Sequence, residues 1–484
     1  GATLRASEVK PKLDRFIIER CFNNNFDQCK KYLVGYDEKH PDALREEFND
    51  TEKPYRALNY KMRIVADESS IMLTNERRPY TDRNKKKDQD NGYRIIDATD
   101  NRDGETYNIR QDEKIRFIIK DGNVSYYAKK RTSDNRILFD LAPYPAFFAN
   151  LDADFADMVE YKKLSYNENL VTLEMLISSG DLYSTISNGV LSTFFLTTNF
   201  GTRQTKGFGS FYIDESDPQY VSPNSSYHFR IHAEGEYLDD MFCELFKRIE
   251  LFYKTLRGGV NQKNFRKETE FYFKSLAFKY AKDVLNAHWD KKRVKEEFYF
   301  RDLQNQQSMY SDDGDNPLFV SKDKSYDVRD LLGFSTNEQW QSYMDSIEKK
   351  VAVRENNNFR FPRQTDKLDA DRMPSPILFK PIYDEKSDSF NVYLILNEVA
   401  LEQFKRVGKI CFYSKKKRDN NNTPKRFMLD IPRNFSVTDY MDYIFDSKRM
   451  NIDVVEWVDS DFHEHVYFKV LNDIYAQIKK NLKR

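Results

Sequence analysis

Three glycines and two cations lie close together in the segment Gly201-Thr-Arg-Gln-Thr-Lys-Gly207-Phe208-Gly209. Glycine lets a backbone approach a bulky anion, and Arg203 and Lys206 could neutralise that anion. The segment therefore predicts either a phosphate-contacting loop or a mere tight turn. It is not a Walker A or dinucleotide loop, because a helical pattern precedes it and a strand-like Phe211-Tyr-Ile follows it.

A second candidate is the basic segment, residues 247–295, which holds 14 basic and 5 acidic side chains with aromatic residues between the cations. This composition suits a surface that meets phosphates and splayed bases, so Arg257, Lys263 and Arg266 become candidate RNA contacts. The alternative is a solvated basic helix face whose aromatics lie in the core. A further cluster, residues 415–418 with Lys425 and Arg426, is predicted to be an exposed loop that could contact a phosphate or nothing.

Histidines offer the main route to acid–base chemistry, and the chain has only 6 of them. His228 and His232 alternate with Arg230 in a strand pattern, as the general acid and base of a metal-independent ribonuclease could. Two ordinary polar strand residues are the alternative. His463 and His465 would share another strand face, but without a cysteine or third histidine nearby they are no metal site.

The composition bounds the class of protein. The 484 residues carry 78 basic and 78 acidic side chains, with 39% hydrophobic residues and a mean hydropathy of −0.80. These values exclude a disordered chain, and the sequence has no run of apolar residues long enough to span a membrane. Four scattered cysteines, Cys21, Cys29, Cys243 and Cys411, indicate free thiols in a cytoplasmic protein. We expect no cofactor and no metal. Neutrality leaves nucleic-acid binding open, because a balanced total can hide local patches.

Hydrophobic periodicity predicts the elements that must position these residues. Helical patterns occupy 9–33, 184–200, 238–256, 265–300 and 437–445, and a terminal helix follows the last strands. Strand patterns occupy 60–73, 114–120 with 124–128, 376–383 with 388–396, 407–414, 453–457 and 465–468. Residues 75–111 are polar and predict a loop or insertion. The sequence thus predicts two mixed α/β halves around a helical and loop-rich segment.

Three segments together resemble one protein family. The glycine segment resembles the G-rich loop of the RAMP superfamily of CRISPR proteins, and Leu4-Arg-Ala-Ser-Glu-Val-Lys-Pro-Lys-Leu-Asp-Arg-Phe16 and Arg372-Met-Pro-Ser-Pro-Ile-Leu-Phe-Lys-Pro381 resemble two further motifs. The closest resemblance is to the subunit-1 family of the type III-B Cmr effector complex. Pro11 replaces the family's glycine, and Ile17-Ile-Glu replaces its Trp-Trp-Arg.

The resemblance implies an α+β fold with two ferredoxin-like (RRM-type) domains and with helical and loop insertions. The N-terminal domain would span residues 1–260, with an insertion around 75–111. It is expected to lack its first strand, since the family has one before Leu4. A helical and loop-rich segment would span 261–370, and the C-terminal domain 371–484.

The resemblance also implies a non-catalytic RNA-binding subunit that contacts the 3′ region of the guide RNA, the target RNA, or both. Its partners would be these RNAs and other Cmr-type effector subunits, with no membrane involved. Together with the basic segment, the motifs give the predicted contacts: Arg5, Lys10, Lys12, Gly201, Arg203, Lys206, Gly207, Phe208, Gly209, Arg257, Lys263, Arg266 and Lys380. Two alternatives stay open: a guide-RNA-processing endoribonuclease that uses His228 or His232 with Lys206, and a protein-interaction module.

Overall fold

The structure is a computed structural model of an α+β chain. It describes residues 4–50, 54–66, 170–201, 203–232, 238–263, 268–299, 324–340, 343–356, 358–366 and 372–483, together with the backbone of seven strands between 70 and 166. The chain divides into two compact units. Unit 1 contains residues 1–223 and 234–243, and unit 2 contains residues 224–233 and 244–484. The domain boundaries predicted from the sequence stay predictions.

Unit 1 combines short helices with antiparallel strands. Its helices are α1 (Ala6–Phe22), α2 (Phe26–Cys29), α3 (Arg45–Asn49), α4 (Gly180–Ile186) and α5 (Val190–Thr197). Its strands are β1 (Tyr60–Val65), β2 (Ser70–Leu73), β3 (Glu76–Pro79), β4 (Arg94–Asp97), β5 (Lys114–Lys120), β6 (Asn123–Arg131), β7 (Ile137–Leu141), β8 (Lys163–Tyr166) and β9 (Thr172–Ile177). They form a β1-β9 pair, a β2-β8 pair and a five-stranded sheet in the order β3-β7-β6-β5-β4.

Helix α1 supplies one side of the core of unit 1. Val9, Leu13 and Ile17 recur at three-to-four spacing and are fully buried, as expected for an amphipathic helix. The helix ends at Asn23, whose φ of 50° is left-handed and stops the helical path. The buried residues of α1 join those of α5 in one apolar cluster, so α1 is fixed close to the segment that precedes the glycine loop.

Helix α6 (Leu238–Arg257) continues from unit 1 into unit 2. The other helices of unit 2 are α7 (Leu276–Asp283), α8 (Asp290–Phe298), α9 (Glu398–Lys405), α10 (Val437–Phe445), α11 (Ser447–Met450) and α12 (Val466–Leu482). The strands are β10 (His228–His232), β11 (Val260–Lys263), β12 (Thr269–Phe273), β13 (His288–Trp289), β14 (Ser325–Tyr326), β15 (Phe334–Ser335), β16 (Asn337–Trp340), β17 (Asp345–Val351), β18 (Val353–Glu355), β19 (Asn358–Arg360), β20 (Arg372–Met373), β21 (Ile377–Asp384), β22 (Ser389–Leu396), β23 (Lys409–Arg418) and β24 (Pro424–Asp430).

Two sheets organise unit 2. A three-stranded sheet has the order β10-β22-β21, and a six-stranded sheet has the order β13-β14-β24-β23-β17-β16. Strand β17 has a strictly alternating burial pattern, in which Ile347 and Val351 face the core. Lys349 shares that buried face, so the sheet carries a cation into the interior of the unit.

Many predicted elements are confirmed. The hairpin of β21 and β22 has the predicted place, with Asp384 opposite Ser389, and helix α10 has the predicted bounds. Strands β5 and β6 pair as a hairpin with Lys120 opposite Asn123. Cys21, Cys29 and Cys411 are free thiols, and Cys243 lies outside the described side chains. Burial raises the pKa of Cys29 to about 11, as it does for a thiol kept from water.

Other predictions are wrong. Residues 211–213 form no strand after the glycine loop, and residues 265–300 contain strand β12 as well as helices. Residues 75–111, predicted as a loop or insertion, contain strands β3 and β4 and so are not a loop throughout, and the basic cluster at 415–418 belongs to strand β23. His465 caps helix α12, and so His463 and His465 share no strand face. For β3, β4, β12 and β23, pairing with another strand decided the structure, and local polarity does not reveal such pairing.

Candidate nucleic-acid interface

The glycine loop, residues 199–210, is closed on itself by backbone contacts. The Phe200 amide donates to the Gly209 carbonyl oxygen at 3.0 Å, and Asn199 forms an antiparallel bridge with Ser210. Gly209 has a φ of 66°, and a Cβ atom at this position would lie 1.8 Å from the Phe200 carbonyl oxygen. Only glycine fits there, so this glycine is required by the closure of the loop itself.

Side-chain amides fix the interior of the loop. The Asn199 amide donates to the Gln204 carbonyl oxygen at 2.7 Å, and the Gln204 amide donates to the Gly201 carbonyl oxygen at 2.6 Å. A short 3-10 helix, Gln204–Lys206, follows Arg203, which has a left-handed φ of 52°. These hydrogen bonds fix the backbone of the described loop residues, as a preorganised binding surface requires.

The start of α1 is joined to this loop across more than 180 residues of sequence. The Gly201 amide donates to a carboxylate oxygen of Glu8 at 2.9 Å. The Lys12 ammonium donates to the Asn199 carbonyl oxygen at 3.3 Å and to the Gln204 side-chain oxygen at 3.4 Å. It also lies 4.7 Å from the centre of the Phe200 ring. The helix entry and the glycine loop thus form one structure, the helix–loop junction (residues 4–12 and 199–210).

An aromatic cluster supports the helix–loop junction from below. Phe200 is fully buried, and its ring centre lies 6.0 Å from that of Phe194 and 5.8 Å from that of Phe195. Phe208, predicted as an RNA contact, is 7% exposed, and Gly207 is also buried. Both residues pack into unit 1 and present no surface on which a base could stack.

Some backbone and side-chain groups that the sequence predicted to contact RNA form hydrogen bonds within the helix–loop junction. The Gly201 amide is occupied by Glu8, and the Lys206 amide donates to the Arg203 carbonyl oxygen at 2.8 Å. The Lys10 ammonium donates to Asp14 at 2.7 Å and to the Leu58 carbonyl oxygen at 2.9 Å. Lys10 therefore holds α1 against the start of β1. Arg5, by contrast, is exposed at the first turn of α1.

The Lys10 partner, Asp14, lies in the core of unit 1. Burial raises the pKa of Asp14 above its usual value, although Lys10 and Tyr60 act in the opposite direction. The Leu58 amide also donates to Asp14 at 3.3 Å. The pair is consequently a structural contact between helix and strand.

The predicted contacts in unit 2 have diverse environments. Lys380 is fully buried in strand β21, and burial lowers its pKa well below the usual value, so it cannot meet an RNA phosphate from this position. Arg257 donates to the Gly333 carbonyl oxygen at 2.9 Å and pairs with Asp330 at 3.2 Å. Lys263 is exposed at the end of β11, and Arg266 lies outside the described residues.

Strand β10 carries the histidines of the alternative enzyme. His228 Nδ1 lies 2.8 Å from the Ser225 carbonyl oxygen, and its ring stacks on Tyr393 at 5.2 Å. His232 is exposed, and Arg230 between them contacts the side-chain oxygen of Asn391 at 3.1 Å. The two rings share a strand face as the sequence predicted, but a carbonyl and an aromatic ring already orient His228.

Sequence reasoning missed a buried charge cluster in unit 2. The Lys349 ammonium contacts both carboxylate oxygens of Asp330 at 2.7 and 2.8 Å, and Arg329 pairs with Glu338 at 2.5 Å and also with Asp290. The only available signal was Lys349 itself, which stands in an alternating strand where an apolar residue is expected.

Burial and neighbouring charges of both signs shift the pKa values of the carboxylates in this cluster. Burial alone would raise the pKa of Asp330, but Lys349 and Arg257 hold it below its usual value. Burial and the neighbouring carboxylates raise the pKa of Asp327 well above its usual value. The cluster is thus a paired interior network that ties α6, α8, β16 and β17 together. Among the described residues, no group of histidines, cysteines and carboxylates could hold a metal ion.

Family models match both parts of the chain. The model of the Cmr1 N-terminal domain matches residues 1–93 and 80–260, and the model of the Cmr1 C-terminal domain matches residues 272–464. No curated protein and no solved structure gives a match. In the part of the chain that the structure describes, no helix has the length and apolar character needed to cross a membrane.

The match to the N-terminal model covers both the helix entry and the glycine loop, the two segments that meet in the structure. The match to the C-terminal model covers the strand that contains Lys380. The N-terminal model by itself matches more than half of the chain. The chain therefore belongs to the Cmr1 family, whose members are subunits of type III-B CRISPR effector complexes.

Proposed function

We propose that this chain is an RNA-binding subunit without catalytic activity, which contacts the 3′ region of the guide RNA, the target RNA, or both. The observation that carries the proposal is the helix–loop junction. Glu8 and Lys12 bind the backbone of a glycine loop almost two hundred residues away in sequence. Such a rigid backbone loop beside cationic side chains suits phosphate binding, and base pairing between the two RNAs would provide sequence choice.

The structure narrows the set of contacts that this proposal needs. Arg5, Lys12, Arg203, Lys206 and Lys263 remain in it, because their side chains are exposed or half-buried. We exclude Phe208 and Lys380 from this set because they are buried. We also exclude Lys10 and Arg257, because each pairs with a buried carboxylate, that of Asp14 or Asp330. Phosphate contacts from the remaining cations would give affinity without reading bases.

The absence of catalysis is part of the proposal. A general base must be within reach of the proton that it removes, and its protonation must be free to change. The Ser225 carbonyl oxygen and the stacked ring of Tyr393 hold His228 in the strand, and these contacts support a packing role for this ring. Labelled repeat RNA incubated with the chain in EDTA should stay intact. Cleavage that disappears in the His228→Ala or His232→Ala variant would contradict the proposal.

Two finer points belong to the same proposal. We expect two ferredoxin-like domains, for which the antiparallel β10-β22-β21 sheet with α12 against β10 is the support in unit 2. We also place the working complex in the cytoplasm, where guide and target RNA would meet. An experimental structure of the complex with RNA would test the first point directly.

Binding of the full chain to fluorescent guide and target RNA tests the proposal. Affinity should fall steeply as salt rises, because each phosphate contact releases counterions. The Arg203→Ala, Lys206→Ala double variant should bind more weakly at every salt concentration. The matched control is Lys30→Ala, Lys31→Ala, which removes two cations of unit 1 that lie away from the glycine loop, beside Asp27 and Asp181.

The outcomes separate the alternatives. An equal loss of RNA affinity in both double variants would mean that only net charge matters. The glycine loop would then be a tight turn without a role in RNA binding. No binding of either RNA, alone or with the other effector subunits present, would refute the proposal. Stable association with those subunits in the same experiment would then support a protein-interaction module.

A further inference from the structure

The basic hairpin (residues 409–430) is formed by β23 and β24 and lies outside the site already described. It holds seven basic and two acidic side chains. Lys415, Lys416, Arg418 and Arg426 are exposed, and Lys425 is half-buried. Within the part of the chain that the structure describes, none of these five cations forms an ion pair. Five cations thus share a short hairpin that has two carboxylates, and Arg426 acts on one of these, Asp419, from beyond ion-pair distance.

The carboxylate at the tip of the hairpin, that of Asp419, forms hydrogen bonds within the turn. Asp419 accepts hydrogen bonds from the Asn421 amide at 2.9 Å and from the Thr423 amide at 2.8 Å, and it also bonds the Thr423 hydroxyl. These bonds shape the turn in the manner of an Asx turn. Asp419 consequently stabilises the backbone and does not neutralise Arg418.

The hairpin also has a built irregularity. Tyr413 lies opposite Arg426, whereas Arg418 lies opposite Pro424, so β23 contains extra residues between these pairs. A bulge of this kind bends a strand and re-aims its side chains. The lysines 415–417 lie within this irregular stretch, so the bulge carries part of the charge of the hairpin.

A buried carboxylate holds this bulge in place. Asp345, which is 3% exposed, accepts from the Ser414 hydroxyl at 2.6 Å and from the Lys416 amide at 3.2 Å. The Tyr299 hydroxyl donates to the same carboxylate at 2.8 Å. The Lys417 amide donates to the Ser414 hydroxyl oxygen at 2.9 Å. The position of the lysines is therefore fixed from the interior of unit 2.

Other cations of unit 2 provide the contrast. Lys254, Lys350 and Lys469 each have a carboxylate partner at 2.9 to 3.0 Å, and Arg293 pairs with Glu297. Cations that are paired in this way have less charge to offer a ligand. Like charges held together without partners repel one another, and a polyanion with regularly spaced phosphates relieves that repulsion.

We infer that the basic hairpin is a second RNA-backbone contact, made by unit 2 and separate from the glycine loop of unit 1. It would bind phosphates of single-stranded RNA without reading the bases. Arg426 supports the site, since its guanidinium stacks 4.3 Å from the centre of the Phe361 ring and is thereby oriented. This inference rests on the proposed RNA-binding function.

The test compares two quadruple variants of the full chain in their binding to fluorescent single-stranded RNA across a salt series. The hairpin variant is K415Q/K416Q/R418Q/K425Q, and the matched control, outside the hairpin, is K254Q/R293Q/K350Q/K469Q. We expect the hairpin variant to bind about tenfold more weakly at low salt, and the slope of log affinity against log salt to shrink by up to about 3, at about 0.7 for each lost contact. The control variant should retain the wild-type slope, and RNAs of different sequence should lose affinity equally.

The Asp345→Asn variant separates positioning from net charge. It removes a negative charge, so bulk attraction predicts tighter RNA binding, whereas loss of the bulge predicts weaker binding. We expect weaker binding, measured where circular dichroism shows the variant folded. Tighter binding would mean that the bulge does not position the lysines and would overturn that part of the inference.

The outcomes distinguish this inference from the proposed function. If the wild-type chain binds no RNA, the proposed function fails as well. If it binds RNA and depends on Arg203 and Lys206 while the hairpin and control variants behave alike, only the hairpin inference is overturned. Loss of a partner subunit with unchanged RNA binding would assign the hairpin to an acidic protein surface and would also overturn it.

Discussion

The basic segment (residues 247–295) and the basic hairpin both belong to unit 2 and both carry an excess of cations, but they use these cations in opposite ways. In the basic segment, seven cations are bound to carboxylates or to a carbonyl oxygen: Arg248, Lys254, Arg257, Lys279, Lys291, Lys292 and Arg293. Its aromatics Phe271, Phe273 and Tyr280 are core residues. The segment with more cations thus has more of its charges paired and more of its aromatic residues in the core.

This difference teaches that the net charge of a segment overstates its capacity for a polyanion. A cation with a carboxylate at 2.9 Å offers a ligand little unless the ligand displaces that carboxylate. The hairpin has fewer cations, but five of them have no ion-pair partner in the described chain. The role of a basic region thus depends on how many of its cations are paired with carboxylates. Three measurements can test that conclusion.

The largest expected effect is on stability in the basic segment. Arg257→Met removes an ion pair with buried Asp330 and two hydrogen bonds to carbonyl oxygens, so the free energy of unfolding should fall by about 2–3 kcal/mol. Lys254→Met, one turn earlier in α6, loses only an exposed pair and should cost at most about 0.5 kcal/mol. Urea unfolding measures both variants. Unchanged stability of Arg257→Met with weakened RNA binding would break the comparison.

The next effect is the response of the basic segment to pH. Burial first, and then the charges of Lys292 and Arg293, lower the pKa of His288 from 6.5 to about 4. The unfolded chain therefore binds the additional proton first, and the contribution of neutral His288 is lost as pH falls from about 6.5 towards 4.

Between pH 7 and 5.5, His288 should cost the wild-type chain about 1 kcal/mol of unfolding free energy. Urea titrations at the two values measure this difference, and the His288→Gln variant should lose about that much less than the wild type over the same interval. Identical pH dependence of the two proteins would show that the folded chain does not lower the pKa of His288.

The smallest effect is the stability of the hairpin variant K415Q/K416Q/R418Q/K425Q. Because these cations have no internal partner, their removal should change the free energy of unfolding by less than about 0.5 kcal/mol. Thermal and urea unfolding against the wild type measure the difference. A loss of more than about 1 kcal/mol would mean that the lysines stabilise unit 2, and the contrast between the two basic regions would then disappear.

Part of this arrangement was readable from the sequence. The hairpin of β21 and β22, helix α10 and the glycine loop have local signatures, and the structure contains all three. A signal that was present but not used is the spacing of four between Glu244 and Arg248 and between Glu250 and Lys254. These spacings predict paired cations on a helix.

Other features had no local signature. The strand predicted at 465–468 and the shared strand face of His463 and His465 are wrong because helix α12 begins at Val466, and the alternation of polar residues there is compatible with either structure. The expected strand after the glycine loop is replaced by a single bridge at Ser210. Whether a short alternating run becomes a strand depends on the availability of a neighbouring strand, which lies elsewhere in the chain.

The sequence by itself determined the family, the α+β class, the place of the glycine loop and the location of the basic regions, because motifs, periodicity and charge runs are local properties. Only the tertiary structure decided which cations have partners. Asp330 lies 73 residues from Arg257, and Asp345 lies 69 residues from the Ser414 hydroxyl that it binds. Coulomb attraction depends on distance in space and on burial, and neither can be read from order along the chain.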